Sequence, residues 1–234
     1  MKRCYAILTI MLLLFLLPTD IAAQGRNDKL HFNVGVKVGF QAVTYNDPDF
    51  EIKGYIFDHD NIQSNKIGYA LAPFLRLTKG RYYIQTETTL GITNHNFNFK
   101  DKEEPITEGT QQGNIVYDLK TYCLQVPILF GYSFVNEGKF GMSIFTGPRT
   151  KFTFTTYSQQ DFRNFKQEGL NEVLSKQIYY WEIGLGVNID RVFFDFVYDI
   201  GISDVSKYIL DKSGERHKST RRDNILSFSV GLMF

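Results

Sequence analysis

Residues 177–203 read Gln177-Ile-Tyr-Tyr-Trp-Glu-Ile-Gly-Leu-Gly-Val-Asn-Ile-Asp-Arg-Val-Phe-Phe-Asp-Phe-Val-Tyr-Asp-Ile-Gly-Ile-Ser203. Two alternating runs meet at Asp190-Arg191. In the first, Tyr179, Trp181, Ile183, Leu185, Val187 and Ile189 share one parity, and Glu182, Gly184, Gly186 and Asn188 share the other. In the second, Val192, Phe194, Phe196, Tyr198, Ile200 and Ile202 oppose Asp195, Asp199 and Gly201. Successive side chains of a strand face opposite sides, so the stretch is a hairpin with one apolar and one polar face.

The same alternation recurs outward from this hairpin. Phe32, Val34, Val36, Val38 and Phe40 oppose Asn33, Gly35, Lys37, Gly39 and Gln41. Further segments lie near 67–78 (Tyr69, Leu71, Leu75, Leu77), 81–94 (Tyr82, Ile84, Leu90, Ile92) and 115–132 (Leu124, Val126, Ile128, Phe130). The last two lie near 138–154 (Phe140, Met142, Ile144, Phe152) and 224–234 (Leu226, Phe228, Val230, Leu232, Phe234). The segments number eight, an even count. Lys79-Gly80, the stretch around Asn136-Glu137-Gly138, and Asp190-Arg191 read as tight turns. The other four connections, about 46–66, 95–114, 155–176 and 204–223, are polar and roughly twenty residues long, against a median of about 4–6 in compact soluble domains. Short turns alternating with long loops predict an all-β fold, an eight-stranded antiparallel up-and-down transmembrane β-barrel.

A soluble lipocalin-like barrel also has eight strands, with its apolar face turned inward around a ligand. The polar face separates the two. It consists mainly of Gly, Ala, Ser, Asn and Gln, with about one charge per strand, whereas a solvated exterior is dense in Lys and Glu. Small residues suit the crowded interior of a narrow barrel. Its charges come in both signs, Lys37, Arg76, Arg149 and Lys151 against Glu87, Glu182, Asp195 and Asp199. Such groups must pair inside, because an isolated buried ion costs several kcal/mol, of order 3–5 when its partner is lost. Phe32, Tyr82, Tyr83, Tyr179, Tyr198 and Phe234 sit near segment ends, as interfacial aromatic girdles do. Closed antiparallel strands satisfy every backbone amide without water, as a bilayer demands.

The first residues carry the layout of a secretory signal peptide: Lys2 and Arg3, an apolar run from Ala6 to Leu17, then Ala22-Ala23-Gln24. Cleavage after Ala23 divides the 234-residue chain into a signal peptide, 1–23, and an outer-membrane barrel domain, 24–234. An uncleaved anchor is the alternative, although the run is well short of the roughly 20 residues that cross a bilayer as a helix. Cys4 leaves with the leader and Cys123 then stands alone, which rules out an intramolecular disulfide. With 43% hydrophobic and 15% aromatic residues the chain can build a core and is not a disordered segment. Without Lys2, Arg3 and Asp20, the 26 basic and 25 acidic residues become 24 of each, so nothing points to nucleic acid.

Asn224-Ile-Leu-Ser-Phe-Ser-Val-Gly-Leu-Met-Phe234 resembles the terminal strand of outer-membrane proteins that the barrel-insertion machinery reads. Tyr122-Cys-Leu-Gln-Val-Pro-Ile-Leu-Phe130 resembles the aromatic-x-Leu-x-x-Pro strand of the Bacteroidota outer-membrane β-barrel family that includes PorT-like proteins. The run from Asp195 to Asp204 resembles that family's Asp-x-x-Tyr-x-x-Gly-Leu-x-Asp strand, with Ile202 in place of Leu, and Phe145-Thr-Gly-Pro148 its Gly-Pro strand. The resemblance covers essentially the whole chain after the leader. It implies a porin-family outer-membrane barrel, located in the cell outer membrane, with a role in type IX protein secretion as one possible inheritance.

Little in the sequence speaks for catalysis. His31 precedes the first segment, and His59, His95 and His217 fall in connections, without the His-x-Ser spacing of the lipid A deacylases. There is no phosphate-cradling Gly loop and no Cys/His metal cluster. The expectation is therefore a non-enzyme with no catalytic, cofactor or metal site. Asp47, Asp49, Glu51, Asp58 and Asp60 make the first loop acidic, conceivably for a divalent cation but more simply as solvated acids. Lys207, Lys212, Arg216, Lys218, Arg221 and Arg222 make the last loop basic, suited to lipopolysaccharide phosphates or simply solvated. Tyr157, Phe162 and Phe165 pack over the barrel mouth or meet a partner. The inner charges read as a structural ion-pair network, with a proton or ion path as the sharper alternative. Expected partners are outer-membrane lipids and lipopolysaccharide, the insertion machinery, and other envelope or secretion proteins. The function expected is a membrane scaffold or surface-binding protein with no open pore; a secretion-assembly component and a soluble periplasmic lipocalin-like carrier are the alternatives.

Overall fold

A computed structural model describes residues 29–49, 55–57, 67–101, 114–163, 171–210, 216–218 and 220–234. The expected leader lies outside them. Among the described residues there are thirteen strands: β1 Leu30–Asp49, β2 Tyr55–Phe57, β3 Gly68–Lys79, β4 Tyr82–Glu87, β5 Thr89–Asp101, β6 Asn114–Glu137 and β7 Phe140–Arg163, then β8 Asn171–Leu174, β9 Gln177–Ile189, β10 Val192–Gly201, β11 Ser206–Leu210, β12 Arg216–Lys218 and β13 Thr220–Met233. No helix among the described residues is long and apolar enough to cross a membrane.

The sheet closes. β1 pairs antiparallel with β13 on one side and β3 on the other, so that Phe40 stands opposite both Phe228 and Tyr69. From β13 the ring runs through β10, β9, β7 and β6, and β6 pairs with both β4 and β5, which in turn pair with β3. β4 and β5 are two halves of one wall, because their registers on β3 and on β6 continue unshifted across Thr88. The ring therefore has eight walls. Two prolines, which lack an amide hydrogen, flank this junction: Pro127 on β6 stands opposite Glu87, and Pro73 on β3 stands opposite Thr88. The Thr88 N–H still reaches the Pro73 carbonyl at 3.0 Å, but the ladder is interrupted where the prolines cannot donate.

Three two-residue turns join walls at one end. Each takes a left-handed backbone at its first residue: Gly80 (φ 60°), Gly138 (φ 59°) and Asp190 (φ 58°). Glycine meets that geometry without strain, and Asp is among the side chains that tolerate it. The other end differs from expectation. β6 and β7 run for 24 residues each, about twice the 9–11 that a tilted membrane strand needs. Much of what reads as twenty-residue loops is thus strand, paired as far as Lys100 with Asn114 and Asn114 with Arg163. β8, β11 and β12 add a separate three-stranded sheet at the same end.

Burial along β9 alternates strictly: Ile178, Tyr180, Glu182, Gly184 and Gly186 are buried, while Tyr179, Trp181, Ile183 and Leu185 are exposed. The same parity holds on the other walls, leaving Phe130 58%, Phe196 54% and Leu90 54% exposed, while Lys37, Glu87, Arg149 and Asp199 are buried. The charged face is inside and the apolar face outside. This overturns the soluble lipocalin-like carrier, which needs the opposite. The outer surface is an apolar band with aromatic contacts, Phe228 lying 4.8 Å from Phe196 and 5.3 Å from Phe40, and a Tyr82–Tyr132 pair at 5.1 Å near the short turns.

Candidate functional site

The interior is layered. Its middle holds the charges expected to pair. Lys37 on β1 donates to Glu87 Oε1 on β4 at 2.6 Å and to Asp195 Oδ2 on β10 at 3.2 Å. Arg149 on β7 places Nε 2.7 Å from Glu182 Oε2 on β9, and its Nη1 donates to Asp199 Oδ2 at 2.6 Å and to Gln125 Oε1 at 2.9 Å. Amides extend both groups: Gln85 Nε2 donates to Glu87 Oε1 at 2.6 Å, and Gln125 Nε2 to Gln41 Oε1 at 3.2 Å. Lys151 is buried on the same wall as Arg149. Asp223, buried on β13, is a charge that the alternation did not single out.

The ionic layer is bounded by apolar side chains on both sides. Toward the long connections Val43, Ile178, Tyr180, Val205 and Ile225 form a buried cluster, with Leu174 packed against it. Toward the short turns lie Tyr83, Leu129, Phe145 and Val197, joined by Phe74 and Phe193, whose rings meet edge to face at 5.1 Å. The expectation of a small and polar inner face is corrected here. The rings fit because each lies over a glycine on the neighbouring strand: Phe74 over Gly35, Tyr83 over Gly131, Phe145 over Gly184 and Phe193 over Gly231. These residues share the parity of the polar face, so the signal was present as alternating aromatics and glycines. Which ring meets which glycine depends on register.

Arg76 sits among these rings, its guanidinium carbon 4.3 Å from the centre of Tyr83, 5.7 Å from Phe74 and 5.9 Å from Phe193. Its Nε donates to Gln85 Oε1 at 2.5 Å. Beyond Arg76 a cavity of about 600 Å³ opens at the short-turn end, lined by His31, Asn33, Thr78, Arg81, Ser133 and Asn188 among others. Toward the middle, a space of about 20 Å³ beside Lys37, Gln41, Glu87 and Arg149 has the size of about one water.

The remaining sequence candidates are dispersed. His31 lines the mouth cavity, His95 and His217 fall in β5 and β12, and His59 lies outside the described residues. Asp47 and Asp49 belong to β1, whereas Glu51, Asp58 and Asp60 lie outside the described residues. In the basic connection, Arg216 stacks on Tyr208 at 4.8 Å and Arg222 Nε donates to Asp204 Oδ1 at 3.0 Å, while Lys207 is exposed. Lys218 and Arg221 fall in β12 and β13, and Lys212 lies outside the described residues. Tyr157 and Phe162 fall in β7, and Phe165 lies outside the described residues. Among the described residues, no group of three His, Cys, Asp or Glu side chains could hold a metal ion.

A closed eight-walled barrel, apolar without and ionic within, is a membrane-spanning β-barrel of the outer-membrane type. The chain belongs to the outer membrane protein beta-barrel domain family, whose model matches residues 22–207. No curated protein matches it. Among solved structures it is similar to Ail, the attachment invasion locus protein of Yersinia pestis, solved with the heparin analogue sucrose octasulfate (11% identity, 87% of this chain and 99% of that one, TM-score 0.38). It is also similar to Neisserial surface protein A (14% identity, 88% and 99%, TM-score 0.38) and to LpxR from Salmonella typhimurium (8% identity, 86% and 100%, TM-score 0.30).

Proposed function

We propose that this protein is a non-enzymatic outer-membrane scaffold whose long-loop end or rim binds a partner or surface ligand. The carrying observation is the filled interior, in which two apolar layers enclose an ionic layer whose Lys37 and Arg149 are each tied to several walls. Such an interior is a clamp between strands and leaves no water-filled passage for solutes. In this reading the leader, 1–23, directs export, and the insertion machinery recognises the last strand. The short turns face the periplasm and the long connections face outward, where Lys207 and its basic neighbours meet lipopolysaccharide phosphates. Reconstituted into planar bilayers, the protein is expected to show no steady conductance; a reproducible open-channel current sinks the scaffold reading.

Membership of the Bacteroidota PorT-like branch rests on the strand motifs. Of the residues that define them, Asp195 is held by Lys37 inside the barrel, and Pro127 and Pro148 stand in the barrel wall. Motif residues held inside the barrel support a shared architecture more than a shared task, so the secretion role ranks second. It predicts cargo trapped in the periplasm on gene deletion, and normal export removes it. Purifying a loop-tagged version from solubilised envelopes tests the scaffold: a stoichiometric envelope protein identifies the partner, whereas recovery of the barrel alone moves the search to ligands of its loops.

A further inference from the structure

We propose that the cavity at the short-turn end is a binding site for a small oxyanion, a carboxylate or phosphate group, held by Arg76. The inference is independent of what the long-loop end binds. Arg76 is only 5% exposed, and it makes no ion pair among the described residues. The nearby acids of the network, Glu87 and Asp195, are each held by Lys37 through one oxygen, and neither pairs with Arg76. A buried cation without a carboxylate is costly to keep. Part of that cost is offset by the faces of Tyr83, Phe74 and Phe193, which attract the guanidinium. Among the described residues only Nε finds a hydrogen-bond acceptor, the Gln85 amide oxygen. The two Nη atoms remain, and the residue that carries them forms part of the cavity wall.

The cavity has the electrostatics of an anion site. Its lining carries Arg76, Arg81 and His31 and no Asp or Glu. Ser133, Thr78, Asn33 and Asn188 add hydroxyl and amide groups able to donate to further oxygens. Arg81 stands at the exposed rim, its Nη1 at 3.5 Å from the Tyr132 hydroxyl, where it adds positive potential. A guanidinium with two free Nη groups presents a planar fork that matches two oxygens of one carboxylate or phosphate. The recess, at about 600 Å³, falls within the range of small-molecule sites. Its floor inside the ring of strands favours a small solute over a folded partner.

The test uses the full mature chain refolded into nanodiscs and titrated at constant ionic strength with inorganic phosphate, with succinate, and with chloride as control. Amide spectra and calorimetry provide the readouts. Phosphate or succinate should give saturable shifts centred on Asn33, Thr78 and Ser133, which chloride does not reproduce. A preference for phosphate assigns phosphorylated solutes, and one for succinate assigns carboxylates. Arg76→Gln should weaken binding by about tenfold or more, the loss expected for a charge-assisted bidentate contact, whereas Arg81→Gln at the rim should weaken it by less than about threefold. Folding of each variant is checked by its heat-modifiable gel mobility. Arg76→Lys, which keeps the charge but loses the fork, decides the matter if Arg76→Gln does not fold. Absence of saturation by either oxyanion, or unchanged affinity in the folded Arg76 variant, overturns the proposal.

Discussion

Arg149 sets the energetic scale of the interior. One guanidinium answers Glu182, Asp199 and Gln125, all fully or almost fully buried. Replacing it by Met leaves two carboxylates inside a membrane barrel without their cation, which costs about 3–5 kcal/mol. Urea unfolding of the refolded barrel should register that loss, and a shift below about 1 kcal/mol would mean that water or Lys151 already compensates the acids. Lys139 and Asp190, 3.3 Å apart at the short turns, provide the contrast, with side chains 80% and 59% exposed. Lys139→Ala should leave the same unfolding curve unchanged, because a solvated pair is screened and holds two side chains in place at an entropic cost. The residue types and signs of the inner charges, Asp223 apart, were legible from alternation alone. Their pairing was not, since Lys37 meets Asp195 across 158 residues of chain.

At the scale of elements, register carries two effects that composition hides. A Cβ at Gly131 would overlap the ring of Tyr83, its partner on β4. Gly131→Ala should therefore destabilise by about 1–3 kcal/mol, as overpacking does. Combined with Tyr83→Ala the cost should largely vanish, since the two changes share one contact; additive losses would show that the glycine serves some other need. The second effect is the interruption between β4 and β5. The Pro127 carbonyl accepts from Thr86 Oγ1 at 3.0 Å, so that edge of the residue faces β4. In Pro127→Ala the new amide should donate toward Glu87 and exchange slowly with deuterium. Fast exchange there would place the cause of the gap elsewhere. The strand count and the three tight turns follow from the period of two and the Gly and Asp positions. The strand lengths do not, because β5, β6 and β7 continue into polar sequence where the alternation fades while the backbone pairing persists.

For the whole molecule, the inverted arrangement of faces implies a solvent that is not water. The outer band displays Leu185 at 52% and Phe196 at 54% exposure on adjacent strands. Arg at either position should cost about 2–4 kcal/mol in lipid vesicles if the site lies near the bilayer midplane. Measured as folding efficiency into vesicles, Leu185→Arg should fall well below the parent, and equal folding would argue against a lipid-facing band. Thirteen residues of β9 cover the roughly 9–11 needed to span a bilayer at a tilt. The further length of β6 and β7 therefore stands outside the hydrocarbon, where binding to other molecules is possible.

The amino-acid sequence by itself determined the periodicity, the number of walls, the turn positions and the sign of each face. All of these follow from local sterics and from which side chains can meet lipid. The tertiary structure alone decided which charge meets which, how rings nest on glycines, and that Arg76, beside an open cavity, has no carboxylate partner among the described residues. Those outcomes depend on the stagger of strands around a closed ring, which brings β1 against β13 and sets side chains from distant segments at one height. No local pattern encodes that stagger, because it is fixed only when all eight walls pair at once.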